Sequence, residues 1–306
     1  YEKKLTPDEH LKKTYAFILA NPTLFADGDI FDSCPECENA GHWKQPERDN
    51  QYNEFIQAQE LNNATAFRAI GKKVYINLPS IIGGRAKEVL TQETLDDLDN
   101  VVAIDHYIKD PKNMGEYITY FKERKTKVLV SEFGAPIPDK NGNLTEEQQA
   151  SFIDALFSEL YKQRSNVLGA NYFVLNFGTT ELLNADYSPR KAYEVVKKYY
   201  SPGVIRGTVT NSLGDPISNV EVKGSDGIDV TRTDTNGNYE LTALPRELIL
   251  KVGGGDYTTA SAKVTVISGD STSTNNFSIS PITPEALYQI RFFINNIQKE
   301  VFSFQE

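Results

Sequence analysis

Methionine and tryptophan each occur once in the 306 residues, cysteine twice and histidine three times. So few sulfur and imidazole groups leave little for a protein-built metal centre. Cys34 and Cys37, in Cys34-Pro35-Glu36-Cys37, would need two further ligands from His10, His42 and His106 to hold zinc. The pair reads instead as a local staple or as two free thiols, and neither metal nor cofactor is expected. Also missing is any apolar run near the roughly 20 residues that cross a bilayer, so no membrane span is expected. There is no basic excess: 32 Lys and Arg stand against 42 Asp and Glu, a net charge of −10. Without basic blocks to neutralise phosphates, nucleic acid is not an expected partner. Aromatic side chains are plentiful, and 16 Tyr with 16 Phe exclude a chain that never packs.

The length suggests two domains, and the texture changes near position 202. Residues 1–201 alternate β-type apolar runs with amphipathic helical patterns. Thr6 can cap a first helix, with Pro7 at its first position and Asp8 and Glu9 at its positive end. Its apolar side is Leu11, Tyr15, Ile18 and Leu19. Strands are expected at 29–32, 74–78, 101–107, 127–134 and 168–177, with helices at about 50–70, 91–98, 112–124, 145–165 and 188–200. Strand followed by helix, five times over, implies a parallel sheet with helices outside it. Residues 203–282 are rich in Thr, Val, Ser, Gly and Asn with regular turn signals, which predicts a small antiparallel β-sandwich. In 283–306, Leu287, Ile290, Phe293, Ile294, Ile297 and Val301 recur at helical spacing and predict a C-terminal amphipathic helix. Unpartnered as it is, that helix points to self-assembly. The chain opens on Tyr1 with no signal-peptide pattern before it, as a processed chain or an excerpt of a longer one would.

Carboxylates cluster at the C-terminal ends of two expected strands: Glu36 and Glu38 after the first, Glu132 after the fourth. Two facing carboxyl groups suffice to cleave a glycosidic bond, one donating a proton and the other attacking the anomeric carbon or activating water. Trp43, His106, Tyr107, Asn176 and Phe177, near neighbouring strand ends, suit sugar rings with their apolar faces and hydroxyl rims.

At these residues the chain resembles the clan A glycoside hydrolases, retaining enzymes built on (β/α)8 barrels. Ser131-Glu132-Phe133-Gly134 is similar to their strand-seven nucleophile motif. Asp105-His106-Tyr107 is similar to the strand-six segment, whose His or Tyr hydrogen-bonds near the nucleophile. Pro35-Glu36-Cys37 falls where the strand-four acid/base motif belongs, 96 residues before Glu132. The sequence departs from the family in Pro35, where Asn is usual, and in Leu175-Asn176-Phe177-Gly178, where a platform Trp is usual. The resemblance implies a partial (β/α)8 TIM-type barrel lacking its first three strands, which an upstream segment or another chain would supply. It makes Glu132 the nucleophile and Glu36 the acid/base, with Glu38 as the alternative. Retaining geometry implies carboxyls about 5–5.5 Å apart.

In the second domain the linked series Val204–Thr210, Gly214-Asp215-Pro216-Ile217, Val220-Glu221-Val222 and Thr233–Tyr239 resembles carboxypeptidase-regulatory-like (transthyretin-like) domains. Val209, Val220, Val222, Tyr239 and Leu241 are its expected inward positions. Some related domains carry a Lys–Asn isopeptide bond starting from a first-strand Lys; Arg206 stands in that strand here, so none is expected. Sequons at Asn63, Asn143 and Asn276 permit N-glycosylation. The expectation is therefore a secreted or cell-surface retaining glycosidase acting on a poly- or oligosaccharide. The alternative is a non-catalytic surface, filament or carbohydrate-binding protein with a degenerate barrel.

Overall fold

A computed structural model describes residues 5–39, 43, 48–269 and 272–282; the expected helix of 283–306 lies outside them. The chain forms two compact units, Tyr1–Val196 and Lys197–Glu306.

The first unit opens with helix α1 (Pro7–Ala20), whose start follows from its sequence. Thr6 and Glu9 form a reciprocal capping box, and Pro7 occupies a position where its missing N–H costs nothing. Ile18 is fully buried, but Leu19, expected on the same face, is exposed. Ile18 packs in one cluster with Ala66 and Phe67 of α2 (Asp49–Ala69) and with Phe25 and Phe31.

Six strands follow the expected order: β1 (Ile30–Phe31), β2 (Ile76–Asn77), β3 (Ser80–Ile82), β4 (Val101–Asp105), β5 (Lys127–Phe133) and β6 (Val167–Tyr172). All their pairings are parallel. β1 pairs with β2, while β3, β4, β5 and β6 form one sheet in that order. Of these, β2 falls in the strand expected at 74–78, while β3, just beyond it, was not expected. Leu78-Pro79 separates them, where proline has no N–H for a ladder, and each takes a different neighbour.

Between strands lie α3 (Gly83–Val89), α4 (Gln92–Asp97), α5 (Lys112–Glu123), α6 (Pro138–Asn141) and α7 (Glu146–Lys162), with α8 (Lys191–Tyr200) last. Helix α3 was not expected, since Gly83-Gly84 has poor helix propensity. Packing explains the first glycine: a Cβ on Gly83 would come within 2.5 Å of the His106 ring. The expected 168–177 strand ends at Tyr172, so Asn176 and Phe177 stand on a loop rather than at a strand end.

In the second unit two four-stranded sheets enclose an apolar core. β7 (Gly203–Thr210) pairs with β10 (Asn238–Ala243). β11 (Glu247–Gly254) lies between β8 (Glu221–Gly224) and β12 (Tyr257–Thr265), and β9 (Val230–Arg232) borders β8. These pairings are antiparallel, as expected, but β13 (Thr272–Thr274) and β14 (Phe277–Ser278) pair with β7 in parallel. Alternation along β7 and β10 turns Ile205, Val209, Tyr239 and Leu241 inward, with Val220, Val222, Leu250 and Phe277 in the same cluster. Gly207 is required where β13 gives way to β14, because a Cβ there would meet the Asn275 carbonyl at 1.7 Å. Fully buried Asp229, unremarked in the sequence, is neutralised by Arg246 at 2.6 Å.

Candidate active site

The register of the parallel sheet sets the site. Ile82, Asp105 and Glu132 are successive cross-strand partners at the C-terminal ends of β3, β4 and β5. The segment Asp105-His106-Tyr107 leaves β4 with the His106 N–H bonded to the Glu132 carbonyl. From the next residue, the Tyr107 hydroxyl donates to Glu132 Oε1 at 2.5 Å. Burial raises the Tyr107 pKa, followed by that hydrogen bond and by the charges of Glu132, Asp105 and Glu36. The hydroxyl therefore stays protonated and remains a donor. Gly134 lets the ends of β5 and β6 approach, since a Cβ there would meet the Phe173 carbonyl at 2.4 Å.

The loop after β1 carries the other carboxylates. Cys34 and Cys37 form a disulfide with Cα atoms 5.4 Å apart, enclosing Pro35 and Glu36. Glu36 adopts a left-handed φ of 50°. Its N–H bonds the Ser80 carbonyl and its half-buried carboxylate accepts from Asn39 at 2.9 Å. Glu38, in the short turn that follows, is only 3% exposed. It accepts the Ile82 N–H at 2.5 Å, which fastens the loop to the end of β3. Burial pushes its pKa up to about 7, and the charges of Glu36 and Asp105 push the same way. Asp105, 2% exposed, accepts hydroxyls from Ser80 at 3.0 Å and Ser131 at 2.7 Å. Its pKa rises to about 6, chiefly through burial, with Glu132 and Asp32 adding to the rise and the two serines opposing it. Burial also raises the Asp32 pKa, against hydrogen bonds from Ser80 and Cys34.

The remaining expected contacts divide. Trp43 is corrected from a sugar platform to a packing residue: it is 6% exposed, stacked on Phe55 and tilted against Tyr52, each at 5.3 Å. His106 is also withdrawn from the surface, its ring 3.9 Å from that of Tyr117. Burial, then Lys140 and Lys87, lower its pKa to about 4, so the imidazole is neutral. Asn176 turns its amide oxygen to the Phe177 N–H, and Phe177 is 86% exposed on the loop. Phe173 went unnoticed in the sequence because the apolar run continues past it. It directly follows β6 and is half-exposed, with its N–H bonded to the Phe133 carbonyl. Ser80 and Ser131 were missed too. A polar residue ending the buried run Val101–Ile104 was the available sign that Asp105 needed donors nearby. Among the described residues, no group of three His, Cys, Asp or Glu is arranged to hold a metal ion. No described helix is long and apolar enough to cross a membrane.

Residues 204–280 match the carboxypeptidase regulatory-like domain family. Solved structures of glycoside hydrolases are similar to part of the chain. The GH53 catalytic domain of Ignisphaera aggregans aligns with 63% of this chain and 66% of its own, at 17% identity and a TM-score of 0.47. The Thermobacillus composti GH10 xylanase aligns with 61% of this chain and 68% of its own, at 16% identity and a TM-score of 0.42. A GH128 endo-beta-1,3-glucanase from Amycolatopsis mediterranei aligns over 58% and 74%, at 12% identity and a TM-score of 0.42. The chain thus spans about two thirds of the length of the GH53 domain. No curated protein sequence matches it.

Proposed function

We propose that the first unit carries the site of a retaining glycoside hydrolase acting on a poly- or oligosaccharide. The observation that carries this reading is the hydrogen bond from Tyr107 to Glu132 at adjoining strand ends, with the charge of Glu36 acting on the same hydroxyl. Glu132 is the nucleophile, and Tyr107 holds its carboxylate in one orientation for attack on the anomeric carbon. Glu36 donates a proton to the leaving oxygen and then takes one from the water that hydrolyses the glycosyl–enzyme bond. Glu38, two residues further, anchors the loop to β3; its raised pKa also suits a general acid, which makes it the second candidate for that role. Phe173 offers its ring as a sugar platform in place of Trp43.

The sequential order of β3, β4, β5 and β6 in one parallel sheet, with β1 and β2 paired in parallel before them, supports a partial barrel, because a singly wound barrel grows by adding sequential parallel neighbours. Its remaining strands would come from an upstream segment or a second chain. The Cys34–Cys37 disulfide supports a secreted or cell-surface location, because such bonds persist in oxidising compartments. The exposed Phe177 ring favours the alternative of a non-catalytic assembly protein.

Chemical rescue separates the roles. Glu132→Gln should lower kcat by at least about 10³-fold on β-linked oligosaccharides, and the equally impaired Glu132→Ala, which opens space beside the anomeric carbon, should be partly rescued by azide on aryl glycosides. Glu36→Gln should lose activity on natural leaving groups but retain most of it on aryl glycosides whose leaving group needs no proton. The same leaving-group split appearing in Glu38→Gln instead would transfer the acid/base role to Glu38. Equal turnover by Glu132→Gln and wild type would end the assignment.

A further inference from the structure

The Tyr107–Glu132 pair leaves unexplained a buried carboxyl placed between the strands that carry it. Asp105 ends β4, between Ile82 of β3 and Glu132 of β5. Its Oδ2 accepts the Ser80 hydroxyl and its Oδ1 the Ser131 hydroxyl, each from a different flanking strand. The parallel ladder is irregular there, with a register shift between Ile104 and Asp105. Backbone pairing alone therefore fixes the ends of these strands less firmly than their middles. Ser80 N–H also bonds Asp32 Oδ1, so the same serine reaches back to the chain after β1.

We propose that Asp105 is the positioning residue of this site: its two oxygens hold the Ser80 and Ser131 hydroxyls, so that one buried carboxyl fixes where Tyr107 and Glu132 meet. Ser131 immediately precedes Glu132 and Asp105 lies two residues before Tyr107, so a rotation at either end would move one partner of the 2.5 Å bond. Two hydroxyl donors also give a buried carboxyl partners it would otherwise lack, at a depth where an unpaired one is costly. The charges facing Asp105 are those of Glu132 and Asp32, and its own acts on Glu38, beside which stand Glu36, the Ile82 N–H and the Tyr52 hydroxyl. Asp105 touches no reacting atom; it acts through the serines and through its charge.

This deepens the glycosidase reading and rests on it, but the test runs without substrate. The full chain, isotopically labelled, is titrated by carboxyl NMR, and the Tyr107 hydroxyl proton is followed as a downfield resonance. Asp105→Asn keeps an oxygen for one serine and an N–H for the other, so the fold should hold while the charge goes. The Glu38 midpoint should then fall by about 0.5–1 pH unit, as for loss of one neighbouring like charge. Asp105→Ala removes both acceptors and should abolish the Tyr107 resonance; if it fails to fold, Ser131→Ala, which deletes a single hydroxyl, should shift or broaden it. An unmoved Glu38 midpoint in Asp105→Asn, or a wild-type Tyr107 resonance in the folded alanine variant, overturns the proposal. Absence of turnover in the wild type would sink the glycosidase reading and leave both readouts intact.

Discussion

Glu38 keeps its proton to about pH 7 in the folded chain, where a carboxyl in the unfolded chain loses it near 4.5. Between those values the folded state binds more protons, so this residue makes stability fall as pH rises. The shift corresponds to roughly 3 kcal/mol at about 1.4 kcal/mol per pH unit. Asp105 works in the same direction between its ordinary 3.8 and about 6. His106 works oppositely: its imidazole is neutral down to about 4 instead of 6.5, so its share is lost on acidification through that window. Glu38→Gln should therefore stabilise the chain at pH 8 by up to about 3 kcal/mol and barely change it near pH 4.5. Denaturant melts at the two pH values check this, and an equal effect at both would show that Glu38 is not buried with its proton. A side chain that weakens the fold at neutral pH is what a working site, rather than a packed core, retains.

At the scale of elements, α7 fixes the loops beyond β5 and β6 through one side chain. Gln149 is fully buried; its amide N–H groups reach the carbonyls of Ala135 at 2.6 Å and Glu181 at 3.1 Å, and its oxygen accepts Arg190 Nε at 2.9 Å. The Tyr172 hydroxyl also reaches the Ala135 carbonyl at 2.9 Å, and that of Thr180 at 2.7 Å. Gln149→Leu strands several buried polar groups and should cost about 2–4 kcal/mol, read as a lowered Tm without loss of helix content. Local signals made the elements themselves legible. The Thr6 and Thr145 caps, and the alternation along β7 and β10, each depend on a few neighbouring residues. What was not legible depends on partners distant in the chain. Position 83 is glycine because the His106 ring leaves no room for a Cβ, and Asp105 is bound by serines 25 and 26 residues away. Trp43 alone in its loop gave no sign of which face of α2 it would cover.

For the molecule as a whole, the two units differ in how fully their sheets are closed. The sandwich buries a continuous cluster from both of its sheets. The parallel strands form a pair, β1 with β2, and a four-stranded sheet that ends at β3 and β6, with Ile30, Phe173 and Leu175 exposed. The parallel return of β13 and β14 was not foreseeable, since strand direction leaves no mark in composition.

Asn63 carries the first of the three sequons, yet it is fully buried in α2, while Asn143 and Asn276 are exposed. Glycan transfer in a eukaryotic secretory host acts on nascent chains, before α2 has packed. An oligosaccharide attached to Asn63 would have no room in the finished helix interface, and such molecules should be retained and degraded. Secreted product analysed by mass spectrometry should thus be unmodified at Asn63, and Thr65→Ala, which abolishes that acceptor site from an exposed position, should raise the yield. A glycan found on Asn63 in well-folded product would contradict the packing of α2.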